Sequence, residues 1–205
     1  VVSDEIHGDL TFPGHHYTPF ATLSDEDARN SIICISPAKS FNIAACCAAF
    51  SIVSDTNRRA ILQAENSRLT VNKNNAFVSA AMEAAYLHGG PWLDAALAYI
   101  SGNLSLVRSR LSKLNDVDMI EPEGTFLLWL DFRKLGLSPE PLTSFLRQKA
   151  KWAITRGPAF GDEGIGFGRL NIACTREHLT DALDRLDRAL EEIRGPAGVS
   201  GSFNQ

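Results

Sequence analysis

The chain has 205 residues, 44% hydrophobic and 21% charged, with a formal net charge of −4. That composition supports one large core or two modest ones. The mildly acidic balance argues against nucleic acid as a main partner, and no apolar run approaches the ~20 residues of a membrane span.

Val1-Val2-Ser3-Asp4-Glu5-Ile6-His7 reads as a strand ending in an acid. Pro13-Gly14 and Tyr17-Thr18-Pro19 then punctuate a loop. His7, His15 and His16 invite a metal reading, but the nearby acids lack a familiar ligand spacing, so no metal is expected. Ser24-Asp25-Glu26-Asp27 predicts a helix start, with acids at the positive end of the helix dipole. Ser31 to Ile35 is an apolar strand leading into Ser36-Pro37-Ala38-Lys39-Ser40-Phe41-Asn42, and a further strand is expected over residues 43–53. A lysine so placed leaves a buried strand on a tight turn and is expected to point into the core. Burial disfavours the ammonium, which makes such a lysine a usable nucleophile of the Schiff-base type.

Asp55-Thr56-Asn57 predicts a helix over residues 55–66, and Asn74-Asn75 begins another that ends at Gly89-Gly90. Ala80, Ala81, Ala84 and Ala85 suit close packing of that second helix within the molecule. From Pro91 an apolar stripe of Leu93, Ala96, Leu97, Ile100, Leu104, Val107, Leu111 and Leu114 marks a helix of about six turns. Its length suggests a bridge between two lobes, with a boundary near residue 103.

The second lobe, residues 104–194, reads as α+β. Strands are predicted at 117–120, 125–132, 152–155 and 168–174. A helix capped by Ser138-Pro139 is expected over 139–150, and a last helix starts at Thr175. Gly164, Gly166 and Gly168 hint at a dinucleotide fingerprint, but no helix follows them, so that reading fails. Residues 195–205 read as a flexible polar tail. Cys34, Cys46, Cys47 and Cys174 sit in apolar stretches and are expected to be packed, reduced thiols of a cytoplasmic protein.

Four blocks then speak together: Asp4-Glu5-Ile6-His7-Gly8-Asp9-Leu10, Ser36 to Ala44, Glu123-Gly124-Thr125-Phe126-Leu127-Leu128-Trp129-Leu130-Asp131, and Gly168-Arg169-Leu170-Asn171-Ile172-Ala173-Cys174. In this order they resemble fold type I enzymes that use pyridoxal 5'-phosphate. Within these the resemblance is to the cystathionine β-lyase-like branch of the class I/II aminotransferase family. It implies an α/β fold, with residues 1–103 as the C-terminal part of the cofactor-binding large domain and 104–194 as a smaller α+β C-terminal domain. It also implies that the chain is the C-terminal half of such an enzyme, the other half holding much of the pocket.

The resemblance makes Lys39 the catalytic lysine that binds the cofactor. It sets Asp4 beside the ring nitrogen, His7 beside the ring, Ser36 on the phosphate and Arg169 on the substrate α-carboxylate. The alternative for Asp4 is a turn cap. For Ser36 it is a turn serine bonded to its own backbone, and for Arg169 an internal ion pair with an acid such as Asp131. In aspartate-type aminotransferases an arginine stands eight residues after the lysine. Cys47 stands there in this chain, which weakens that reading. The implied reaction is elimination of a thiol from a sulfur amino acid, giving pyruvate and ammonia. An aminotransferase and a non-catalytic regulator binding a protein partner are the alternatives. A homodimer is implied, and this chain alone is expected to turn over little or not at all.

Overall fold

A computed structural model describes residues 1–71 and 76–194. The expected helix start at Asn74-Asn75 and the tail at 195–205 lie outside the described residues. The chain divides into two units: Val1–Ala98 with Glu123–Thr125, and Tyr99–Pro122 with the chain from Phe126 on. The division falls at Ala98, five residues before the expected boundary at 103. It cuts the long helix α5, Gly90–Leu111, whose apolar stripe is buried at Ile100, Leu104, Val107 and Leu111.

The first unit is built on a three-stranded sheet of β1 (Val2–Asp4), β2 (Ile32–Ile35) and β3 (Phe50–Ile52), in that order. β1 runs parallel to β2 with Asp4 opposite Cys34, and β3 is antiparallel with Phe50 opposite Ile35. The helices are α1 (Asp25–Arg29), α2 (Pro37–Ser40), α3 (Thr56–Arg68) and α4 (Ala76–His88). Ser24 and Asp55 cap α1 and α3 as their types predict, each accepting a bond from a first-turn amide. The core is small: Leu10, Phe12, Ile33 and Val53 are buried, and Ala48, Val78 and Met82 form a separate cluster with Cys46 against it.

Two expectations fail in this unit, and a third holds in part. The strand expected over 43–53 is a 3-10 turn at Ala44–Cys46 followed by β3, because Asn42 and Cys47 adopt left-handed φ of 55° and 50°. Cys47 closes that turn and is exposed, so not every thiol is packed. On α4 the buried residues are Val78 and Met82; of the four alanines expected to pack, Ala81 and Ala85 are half-buried and Ala80 and Ala84 are exposed.

The second unit carries an antiparallel sheet of β4 (Asp118–Ile120), β5 (Leu127–Asp131), β6 (Thr155–Arg156) and β7 (Phe167–Asn171), ordered β4-β5-β7-β6. Alternation sends Leu128, Leu130, Gly168 and Leu170 inward and Trp129, Phe167 and Arg169 to the other face. Beneath, α7 (Arg176–Arg194) buries Leu179, Leu183, Leu186 and Leu190 at helical spacing. Asn103 is fully buried, and its Nδ2 donates to the Ile172 and Cys174 carbonyls at 2.8 and 2.9 Å.

The expected strand at 152–155 shrinks to β6. Trp152 turns into the core instead, its amide donating to the Leu146 carbonyl and its indole to that of Ala182. The helix expected over 139–150 is α6 (Pro139–Ser144), which widens into a π-type turn over Phe145–Lys149, and the Ser138 hydroxyl makes no cap bond. No described helix is long and apolar enough to cross a membrane.

Candidate functional site

β1 and β2 are adjacent and parallel, so their carboxyl ends lie side by side. Parallel strands sit about 4.8 Å apart, and ligands of open α/β sheets gather beyond their carboxyl ends. Asp4 is the last residue of β1. Lys39 lies four residues beyond Ile35, the last residue of β2. An acid and an amine thus emerge from neighbouring strand ends.

Lys39 sits on α2, a single helical turn rather than a tight turn. Ser36 caps it, its hydroxyl accepting the Ala38 amide at 3.0 Å, and Pro37 occupies the first helical position. Ser36, Pro37 and Ser40 are the buried face of that turn. Lys39 falls on the opposite face and is exposed, which corrects the expectation that it points into the core. Among the described residues its Nζ has neither ion pair nor hydrogen bond.

Asp4 is exposed, and one carboxylate oxygen accepts the Ile6 amide at 3.2 Å, the turn-capping geometry of a short polar side chain. Its neighbour Glu5 is buried and anchors the following loop, accepting from the Ser3 hydroxyl at 3.0 Å and the Phe20 amide at 2.9 Å. His7 lies 3.1 Å, through Nδ1, from the Thr125 hydroxyl, in a hydrogen bond whose direction follows the histidine tautomer. Thr125 holds a left-handed φ of 63°, a strained setting for a β-branched residue, and its amide donates to the Leu10 carbonyl at 2.5 Å. Strain of that kind persists where the surroundings enforce it. Here the segment Glu123–Thr125 is pinned against residues 10–12, Gly124 bridging to Thr11.

The Ser36 hydroxyl proton goes to the Ala48 carbonyl at 2.5 Å. With the Ala38 amide on its lone pair, the side chain is engaged with backbone in the way a turn serine is. As it stands it offers no donor to a phosphate. A cavity of about 410 Å³ opens beside this region, lined by Glu5, Gly8, Asp9, Thr11, His16, Tyr17, Pro19 and Ile35 but by neither Asp4 nor Lys39. Burial, then the Glu5 charge, pushes the Tyr17 phenol up from its ordinary value.

In the second unit Arg169 is half-buried on the outer face of β7, and its guanidinium lies over the Phe160 ring at 4.7 Å. Phe160 meets Trp129 edge-on at 5.4 Å, and Trp129 stacks on Phe167 at 5.5 Å. Arg133 covers the far side of Phe167 at 4.6 Å. Arg133 also holds Asp131 through a forked pair at 2.6–3.1 Å, which draws the Asp131 carboxyl below its ordinary value. The internal ion pair between Arg169 and Asp131 is therefore not formed, and among the described residues no acid pairs with Arg169. Phe160 is set by the loop between Gly157 and Gly164, whose backbones touch so closely that a Cβ on either would meet the other's carbonyl. An arginine whose face rests on a ring keeps its N–H edge for a planar anion such as a carboxylate.

Lys39, Asp4, His7 and Ser36 thus belong to the first unit and Arg169 to the second. The sequence reading missed Thr125, Phe160 and the Ser40–Asp9 bond. Thr125 and Asp9 lie within the blocks quoted above, beside the residues singled out. Phe160 is the one aromatic in the glycine-rich loop from Gly157 to Gly166.

A family model described as aminotransferase class I and II matches residues 1–186. Cystathionine beta-lyase PatB of Bacillus subtilis (strain 168) is 44% identical over 191 residues, 93% of this chain and 49% of that protein. Protein MalY of Escherichia coli (strain K12) is 33% identical over 95% of this chain and 50% of its own length. The crystal structure of cystalysin from Treponema denticola, which contains a pyridoxal 5'-phosphate cofactor, superposes with a TM-score of 0.87 at 30% identity, over 94% of this chain and 49% of that one. The chain spans about half the length of the curated relatives it matches.

Proposed function

The chain belongs to the class I and II aminotransferase family, and on that premise we propose that it is the lysine-bearing half of a pyridoxal-phosphate-dependent carbon–sulfur β-lyase. One observation carries the reading: an amine and a carboxylate, Lys39 and Asp4, follow the carboxyl ends of two adjacent parallel strands, and among the described residues Lys39 is unpaired. An amine and an acid that follow neighbouring strand ends fit a cofactor with an aldehyde and a basic ring nitrogen. When bound, pyridoxal phosphate supplies a sink for the electron pair left at the substrate α-carbon.

In this reading Lys39 is the amine that carries the cofactor and then takes the substrate α-proton at Nζ. Asp4 keeps the ring-nitrogen proton in place through its carboxylate. His7, held by Thr125, flanks the ring. Ser36 contributes to the phosphate only when its hydroxyl leaves the Ala48 carbonyl. Arg169 binds the α-carboxylate through the edge that Phe160 leaves free. The net reaction breaks the substrate carbon–sulfur bond, releasing a thiol, pyruvate and ammonia at the expense of one water. The name of cystathionine beta-lyase PatB supports this outcome over amino transfer. Residues 1–103 serve as the cofactor part and 104–194 as the arginine-bearing domain.

The same reading includes homodimer formation, supported by the apolar side chains the first unit leaves in the open, and a cytoplasmic setting, supported by four free thiols. It also includes little turnover by these 205 residues alone, supported by their match to about half the length of PatB and of MalY. The test is borohydride reduction of the chain with pyridoxal phosphate, followed by peptide mapping. A label concentrated on Lys39 and lost in Lys39→Ala supports the assignment; label scattered over other lysines removes it. In a protein carrying both halves, pyruvate from cystathionine without an added keto acid identifies the lyase, whereas a requirement for one identifies an aminotransferase.

A further inference from the structure

A helix of four residues cannot hold itself, because one turn fixes several backbone angles for very few hydrogen bonds. α2 closes with the Phe41 amide donating to the Pro37 carbonyl at 2.9 Å, and the Ile43 amide reaches back to Ala38 at 3.2 Å. The turn that presents Lys39 must therefore be tied from outside. Its first end is tied by Ser36 to the Ala48 carbonyl. Its last end is tied by Ser40, almost fully buried, whose hydroxyl donates to Asp9 Oδ2 at 2.7 Å.

Asp9 is not on a loose loop. The Gly8 amide donates to the Glu5 carbonyl and the Leu10 amide to that of His7, both at 2.9 Å, and Leu10 is buried. A Cβ at Gly8 would press on the Tyr17 ring at 3.0 Å, so the chain passes Tyr17 closely there. Asp4, His7 and Asp9 therefore ride on one folded segment. β1·β2 pairing fixes that segment to the strand before Lys39, and the Asp9–Ser40 bond fixes it to the residue after Lys39.

We infer that Asp9 is a positioning residue for Lys39: its carboxylate, through Ser40, locks the lysine turn to the segment that carries Asp4 and His7. The inference deepens the cofactor reading above and rests on it for its chemical purpose. A carboxylate suits the task because a hydroxyl donated to a charged oxygen makes a stronger bond than one donated to a neutral group.

The test uses the full chain as wild type, Asp9→Ala, Asp9→Asn and Ser40→Ala. Hydrogen exchange needs no cofactor. The Phe41 amide is expected to exchange about tenfold faster or more in Asp9→Ala and in Ser40→Ala, with Ile33 in β2 unchanged and Asp9→Asn largely restored, since Asn keeps an acceptor oxygen. In the pyridoxal phosphate reaction, the share of label on Lys39 relative to other lysines is expected to fall in Asp9→Ala and to recover in Asp9→Asn. Unchanged exchange at Phe41, or exchange rising equally at Ile33, overturns the lock, as does an unchanged Lys39 share. If wild type takes no label on Lys39, the cofactor reading fails, while the exchange data still decide whether Asp9 ties the turn.

Discussion

The two units share one chain but differ in what they bury. In the second, α7 and α5 lay leucines against the inner face of a four-stranded sheet, and Val107, Leu128, Leu130, Ile172 and Leu186 are fully buried. In the first, three short strands support a thin core, α3 buries nothing, and Phe77, Ile61 and Trp92 stand exposed, Phe77 at 86%. Three strands are near the minimum for an independent sheet. The amine and acid of the proposed site sit on the thin unit, and the arginine sits on the well-packed one. Local ties such as Ser36–Ala48 and Asp9–Ser40 therefore matter more in the first unit, where packing supplies less order.

The sharpest way to break this comparison is by truncation. Leu186→Ala in the second unit is expected to cost about 3 kcal/mol, as deletion of a fully buried leucine does, whereas Ile61→Ala is expected to stay below about 0.5 kcal/mol. Urea unfolding measures both. Equal costs would mean that α3 is packed in solution against something the fold leaves open.

A smaller effect comes from the ion pair beside the aromatic stack. Asp131 is nearly buried and Arg133 is mostly exposed. Asp131→Asn is expected to cost about 1 kcal/mol at pH 7. Arg133 lowers the Asp131 carboxyl in the folded chain, so the stabilisation is present above the unfolded value of about 3.9 and is lost as pH falls through the lower folded value. The gap between wild type and variant should therefore close below about pH 4. A gap that persists in acid would assign the cost to packing rather than charge.

Much of the second unit was legible because its signals are strong: α7 repeats leucines at helical spacing and β5 is a continuous apolar run, and each is where the pattern put it. The first unit was read less well, for a physical reason. Its run from Ile43 to Phe50 is apolar and small, which suits a strand, but the left-handed residues Asn42 and Cys47 turn the chain instead, and neither type demands that conformation. Lys39 was placed on the right segment and the wrong face. A one-turn helix has too few residues to declare an inner side, and only the burial of Ser36, Pro37 and Ser40 settles it. The partner of Asp131 was two residues away, in Arg133, while the sequence reading looked for it across the sheet.

The smallest effect is also the one that ties packing to chemistry in the second unit. Phe160 is half exposed, so it adds little to the core, yet Arg169 rests on it and Trp129 braces it from behind. An exposed cation–π contact is worth about 0.5–1 kcal/mol. Phe160→Leu should therefore leave unfolding almost unchanged. In a protein carrying both halves it should raise KM for the amino acid about two- to fivefold with kcat held, because the arginine is still present but no longer oriented before substrate arrives. Arg169→Lys should raise KM further, since an ammonium lacks the fork that grips a carboxylate in two bonds. A fall in kcat with KM unchanged in Phe160→Leu would separate the aromatic stack from carboxylate binding. The well-packed unit would then be a scaffold for Arg169 without tuning it.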